Sequence, residues 1–204
     1  MILMEVSSRL PGLEHAQSWR IALPDATMTG NGEQFPLSLF FHDLGYDGTQ
    51  LAQLCRLPRL VDQTGWAILL PNSNRSCFTD MRYGPHWRTY LTEGLLPFVS
   101  RSFPVANTAV AIGLGTGGWA AAHLLDRCPE RISAAIAFNA SPDLPESWTD
   151  DMNLSAVFGE RDSGDSAAYA LSGKTRAGAA WLSAGEDDLE SLIIALLLER
   201  KNRP

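Results

Sequence analysis

Cysteine, positive charge and long apolar runs are all scarce in this chain of 204 residues, and each scarcity excludes a class of protein. Cys55, Cys77 and Cys128 are odd in number, far apart and without a CxxC pair, which argues against a disulfide framework and against a structural zinc site. A reducing cytoplasm is the expected compartment. Lys and Arg number 16 against 23 Asp and Glu, for a formal net charge of -7. No basic cluster stands out, so neither nucleic acid nor an anionic membrane surface is an expected partner. The longest apolar run, Leu192 to Leu198, is far short of the roughly 20 residues a spanning helix needs. The opening MILMEVSSRL has no basic leading region and no extended apolar stretch, so no secretory signal is read there.

What is present is apolar: 45% of the residues are hydrophobic, enough for one domain, 1–204, with a substantial core. Runs of strand length occur at 18–23, 36–41, 66–70, 108–112, 132–138 and 179–183. Between them Leu91, Leu95, Phe98 and Val99 fall on one helical face, as do Ala121, Leu124, Leu125 and Cys128. A last helix is expected over 189–200. Strands alternating with helices predict an α/β fold with a doubly wound, mostly parallel sheet, plus an antiparallel hairpin at its N-terminal end. The stretches 25–34 and 162–178 read as surface connections, the second holding a short helix.

One segment carries most of the chemistry. AVAIGLGTGGWAAAHLL runs from a buried strand through Gly113, Leu114, Gly115, Thr116, Gly117 and Gly118 directly into a helix. In the G-x-S-x-G elbow such a turn lifts a serine above a sheet, and flanking glycines avoid clashes. Here Gly113 and Gly117 flank Gly115, so the reacting oxygen is missing. The same glycines satisfy G-x-G-x-x-G, the dinucleotide fingerprint, although Asn139 stands where an acidic ribose partner is expected. A third reading is close strand-to-helix packing alone.

Four segments in order resemble the esterase family of α/β-hydrolases, which includes S-formylglutathione hydrolase, tributyrin-type esterases and, more distantly, mycolyltransferases. They are PLSLFFHDLG at 36–45, WAILLPNSNRSCFTDMRYGPHWRTYLTEGLLPFV at 66–99, the elbow region 109–141, and AAWLSAGEDDLES at 179–191. The resemblance implies an α/β-hydrolase sheet without that family's last strand and helix. It places the nucleophile position on Gly115, the triad acid on Asp188, and the oxyanion-hole N–H groups on Leu44 and Thr116. The family's histidine would follow Asp188, where this sequence has none. Asp43 follows His42 where the family has glycine, which sets a carboxylate where negative charge would need stabilising. His42, Asp43, Cys77 and His86 are the expected cleft residues.

These departures predict an esterase homologue without ordinary Ser-His-Asp catalysis that serves as a binding or interaction protein, with room for a small acyl or aromatic ligand. An active carboxylesterase or acyl hydrolase with a rearranged site, Cys77 with His86 or with a histidine from another subunit, is the alternative. Nucleotide binding at Gly113–Gly118 is the third reading. No cofactor or metal is called for; Glu186, Asp187 and Asp188 read as solvated loop carboxylates. Leu189, Leu192, Ile193, Ile194, Leu196, Leu197 and Leu198 cover nearly every face of the last helix. A second copy pairing through that helix and the strand 179–183 would cover both.

Overall fold

The computed structural model describes residues 1–25, 34–149, 152–161 and 163–201, without the side chains of 176–178, 186 and 187. The strands follow from the apolar runs. FPLSLFF, AILLP and ISAAIAF are apolar on both faces, as strands sandwiched between helix layers must be. In chain order the strands are β1 (Ile2–Ser8), β2 (Gln17–Leu23), β3 (Phe35–Phe41), β4 (Ala67–Pro71), β5 (Val105–Leu114), β6 (Ile132–Phe138) and β7 (Ala180–Leu182). They form one seven-stranded sheet in the order β1-β2-β4-β3-β5-β6-β7. β1 and β2 form an antiparallel hairpin, and β2 pairs antiparallel with β4. Every other pairing is parallel, which is the mostly parallel sheet that the alternation of elements predicts.

The helices are α1 (Gly48–Leu54), α2 (Leu57–Thr64), α3 (Trp87–Thr89), α4 (Leu96–Ser102), α5 (Thr116–Arg127), α6 (Leu144–Ser147), α7 (Ser155–Phe158), α8 (Gly173–Gly178) and α9 (Glu186–Lys201). A π-helical turn, Tyr90–Leu95, joins α3 to α4, just ahead of Pro97, which has no N–H for an i→i−4 bond. The expected short helix in 162–178 is realised as a 3-10 turn at Asp165–Tyr169 and as α8. Most of the connection 25–34 lies outside the described residues. One hydrophobic cluster packs Trp19, Leu91, Val99 and Trp119 against one sheet face. A second packs Leu51, Leu60, Leu189, Ile193 and Leu197 against the other.

Several elements differ from the sequence expectation, the short α6 and α7 among them. β1 was not among the predicted strands, and neither α1 nor α2 was among the predicted helices. The reason for β1 is that no residue of it is fully buried, so it lacks the core-facing stripe that a strand signal needs. α1 and α2 are short and are separated by Arg56 in the left-handed region, φ 44°, with Pro58 in the first turn of α2.

The crossovers place the functional rim. From β3 the chain moves to β4 on one side and then back past β3 to β5 on the other. β3 and β5 therefore flank a topological switch point, where α/β sheets bind ligands beyond the strands' carboxyl ends. His42 and Asp43 follow one of these strands, and Gly115 follows the other.

α9 begins three residues earlier than its apolar pattern suggests and is tied down along its length. Trp66 Nε1 donates to the Leu197 carbonyl at 3.2 Å, and Lys201 Nζ to the Thr64 carbonyl at 3.1 Å. Its apolar residues divide by phase: Leu189, Ile193 and Leu197 are buried, whereas Leu192 and Leu198 are exposed. Leu197→Ala is expected to cost about 2–5 kcal/mol of unfolding free energy. Leu198→Ala should stay within about 1 kcal/mol of the parent. Urea unfolding of the pair checks this phase, and equal losses would contradict it.

Candidate functional site

Strand β5 drives straight into α5 with room for only a hydrogen at two positions. A Cβ on Gly113 would lie 2.1 Å from the Gly117 carbonyl oxygen, and one on Gly117 would lie 2.4 Å from the Phe41 carbonyl oxygen. This is the close approach that the elbow reading of these glycines requires. Between them Gly115 takes φ 51° and ψ -120°, a conformation that any side chain would strain.

The space a side chain at 115 would occupy is already filled. A Cβ there would sit 2.3 Å from the Asp43 carboxylate, which arrives from the end of β3. Asp43 Oδ1 accepts from the Leu44 N–H at 2.7 Å, the Thr116 N–H at 2.8 Å and the Thr116 hydroxyl at 3.0 Å. Leu44 and Thr116 are the residues to which the sequence assigned the oxyanion donors, and both N–H groups are spent on one carboxylate oxygen. Thr116 is the first residue of α5 and Gly115 its side-chain-less cap, so Asp43 also supplies the anion that the helix N-terminus favours. The hydroxyl of Thr116 is thereby committed too, and does not replace the missing serine.

His42 is buried and holds the loop. Its Nδ1 donates to the Asp43 carbonyl at 2.9 Å, and its Nε2 accepts from the Ser73 N–H at 3.4 Å. Burial keeps the imidazole below its ordinary range, so it is neutral near pH 7 with both nitrogens engaged. Phe78 packs on its ring at 4.8 Å between centroids. The neighbouring Cys77 is buried at φ 51°, close to Asp43 and Thr116. Desolvation, followed by the Asp43 charge, pushes that thiol up to about 12, which suppresses the thiolate.

The Cys77–His86 pair of the alternative reading is not formed. His86 is exposed and lines a separate cavity with Glu14 and His15, whereas Cys77 faces Asp43 and Thr116. No hydrogen bond joins the two, Cys77 being buried and His86 exposed, so the structure does not pair a base at 86 with a thiol at 77. His123, on α5, is buried and stacked on Trp119 at 4.6 Å. Asp188 is exposed in the first turn of α9, and none of the four histidines is hydrogen-bonded to it. The acidic cluster with Glu186 and Asp187 falls partly outside the described side chains, and no group of three potential metal ligands occurs among the described residues.

Two small cavities open at the rim on either side of Asp43. One, of about 250 Å³, is lined by His42, Tyr46, Gln50 and Leu51 among others. The second, of about 170 Å³, reaches Gly115, Asn139 and Leu189. Asp43, Tyr46, Leu54 and Leu114 border both. Asn139, considered in sequence only as a ribose partner, instead clamps the rim: its Nδ2 donates to the Ala184 carbonyl at 2.9 Å and its Oδ1 accepts from the Ala184 N–H at 3.1 Å. With Asp43 on the helix N-terminus and Asn139 engaged, a nucleotide phosphate finds no free donor pair there. Tyr46 and Leu54 are rim residues that sequence reasoning missed; they lie in a loop and on α1, for which no motif gives a signal.

Removing the carboxylate leaves the α5 N-terminus and two N–H groups without a partner. Asp43→Ala is therefore expected to lose about 1–2 kcal/mol of stability in thermal or urea unfolding. A more stable variant would show that the carboxylate is strained in this position. His123 makes a second, pH-dependent prediction, since burial lowers its pKa to about 3. An unfolded histidine protonates near 6.5, so between these values the unfolded state holds one more proton and stability falls as pH falls. His123→Phe, which keeps a ring on Trp119, should flatten the stability profile between pH 6 and 4 by about 1.4 kcal/mol per pH unit. An unchanged slope would place the titration elsewhere.

The comparisons with known proteins agree with this architecture. Among solved structures, the chain is similar to FphF, a fluorophosphonate-binding serine hydrolase of Staphylococcus aureus, with a TM-score of 0.79 at 14% identity over 99% of each chain. It is similar to an S-formylglutathione hydrolase from Agrobacterium tumefaciens, with a TM-score of 0.76 at 12% identity over 97% of this chain and 95% of that one. It is also similar to MPT51 (FbpC1) of Mycobacterium tuberculosis, with a TM-score of 0.70 at 13% identity over 100% and 87% of the two chains. At these identities the likeness carries the fold alone. No curated protein sequence matches the chain. The profile of the family described as "Putative esterase" matches residues 19–195, from β2 through most of α9, and the chain accordingly belongs to that esterase family of α/β-hydrolase fold.

Proposed function

We propose that this esterase homologue does not hydrolyse esters by serine chemistry and that its elbow rim serves as a binding site for a small ligand of acyl or aromatic character. The observation that carries the reading is the Asp43 carboxylate, which fills the nucleophile's space above Gly115 and takes the Leu44 and Thr116 donors. Loss of a single oxyanion donor typically slows acyl transfer by about 10²–10³. Here both donors are engaged, and a negative charge stands where another would have to develop. The electrostatic term, ordinarily the largest in such catalysis, therefore opposes the reaction.

A rearranged site based on Cys77 gains no support. A thiol held near 12 exposes only about one thiolate in 10⁵ at pH 7, and no histidine pairs with it. The rim remains suited to binding, because it lies at the switch point of the sheet and combines apolar walls with a few fixed polar groups.

Hydrolysis of 4-nitrophenyl acetate by the parent, Gly115→Ser, and Gly115→Ser combined with Asp43→Gly tests the reading. The parent and the single variant are expected to match the buffer rate, since a serine at 115 meets the carboxylate. An acyl-enzyme adduct by mass spectrometry is expected, if anywhere, in the double variant, where the donors are released. Parent turnover that disappears in Asp43→Asn or Cys77→Ala would overturn the proposal.

A further inference from the structure

The charge at the rim bears on what kind of ligand binds there, and this inference rests on the binding reading above. Asp43 Oδ1 is saturated by three donors, but Oδ2 accepts from no described residue. No Lys, Arg or His among the described residues lies within 4.0 Å of that carboxylate in an ion pair. A half-buried carboxylate with one oxygen free is thus the polar feature that borders both rim cavities. Around it Leu51, Leu54, Leu114 and Leu189 supply apolar wall, Gln50, Gln53 and Asn139 supply uncharged polar wall, and the partly exposed Tyr46 borders both cavities.

We infer that the rim binds a small protonated amine with an apolar body, its ammonium group donating to Asp43 Oδ2. A charge-assisted hydrogen bond to a partly desolvated carboxylate is among the stronger single contacts available to a small ligand. The apolar body then fills the leucine-lined space on either side. Cavities of about 250 and 170 Å³ fall below the range that accommodates drug-sized molecules, which limits the body to one ring or a short aliphatic chain. A carboxylate ligand, the product class of ester hydrolysis, is repelled at the same point, because the donors that would receive it are bound to Asp43. The polarity of the site is therefore the reverse of an oxyanion hole. Asp188 is exposed and adds charge of the same sign, whereas Asp47 is engaged in capping α1 and has Arg20 near it.

Three probes of one shape and different charge decide the matter: benzylamine, benzyl alcohol and benzoate, titrated at pH 7 into isotopically labelled protein and followed by amide chemical shifts. Benzylamine is expected to give saturable shifts at Leu44, Thr116 and Asn139, with at least about tenfold tighter binding than benzyl alcohol and with benzoate weakest. Asp43→Asn keeps an acceptor for the three donors while turning a donor toward the cavity. It should erase the amine preference by about tenfold and improve benzoate binding. Benzylamine binding no tighter than benzyl alcohol, a preference for benzoate, or shifts confined to another surface would each overturn the inference on the parent protein alone, whether or not the variant folds. The ester assay remains separate: a chain that turns over nitrophenyl acetate yet prefers benzylamine would sink the silent-elbow reading and keep the cation site. A silent chain indifferent to benzylamine would do the opposite.

Discussion

The convergence of three hydrogen-bond donors on one carboxylate oxygen is the interaction around which the rim of this molecule is organised. Two backbone N–H groups and a hydroxyl, from the ends of β3 and α5, meet at Asp43 Oδ1. In a serine hydrolase such donors are held ready for a charge that appears only in the transition state, and keeping them without a partner costs stability. This chain has resolved that cost permanently in favour of the folded state. The carboxylate caps a helix whose own cap residue has no side chain, and it does so from a strand 72 residues earlier in the chain than Gly115 by number.

The surrounding residues hold that arrangement. His42 is clamped between the Asp43 carbonyl and Ser73, so the loop carrying Asp43 has a fixed path. Asn72 accepts from the Gly48 N–H at 2.7 Å and anchors the start of α1 beside it. Asn139 ties the ends of β6 and β7 together on the far side. The Ser73, Asn72 and Asn139 contacts join a side chain to backbone between segments distant in sequence, whereas the His42–Asp43 contact is local. Among the described residues none donates to the second oxygen of Asp43 at the centre of this rim.

Legibility in the sequence followed burial. β3, β4 and β6 are buried nearly throughout, and their unbroken apolar runs announced them to within a residue or two. β1 escaped notice because an edge strand with both faces partly wet leaves no such run. The two short helices between β3 and β4 escaped because eight residues give little more than two turns in which a period can show. The elbow was legible because its glycines are required by contact: Gly113 and Gly117 have no room for a Cβ. The pairing of Cys77 with His86 failed because sequence order places both in one segment, while the fold buries one and exposes the other.

The sequence by itself determined the class of fold and the glycine-rich turn from β5 into α5 with Gly115 at its centre, because apolar periodicity, obligatory glycines and residue identity are all local properties. It also showed that a carboxylate follows His42. Only the tertiary structure decided what that carboxylate does. Whether Asp43 faces solvent, opposes a charge or plugs the hole depends on the spacing of β3 and β5 and on the direction of the first turn of α5, which are set by sheet packing. The same packing decided that His42 is a neutral clamp, that Cys77 is a buried thiol whose ionisation is disfavoured and that Asn139 is a rim tie, because burial and partner geometry, rather than residue type, fix what a side chain can do.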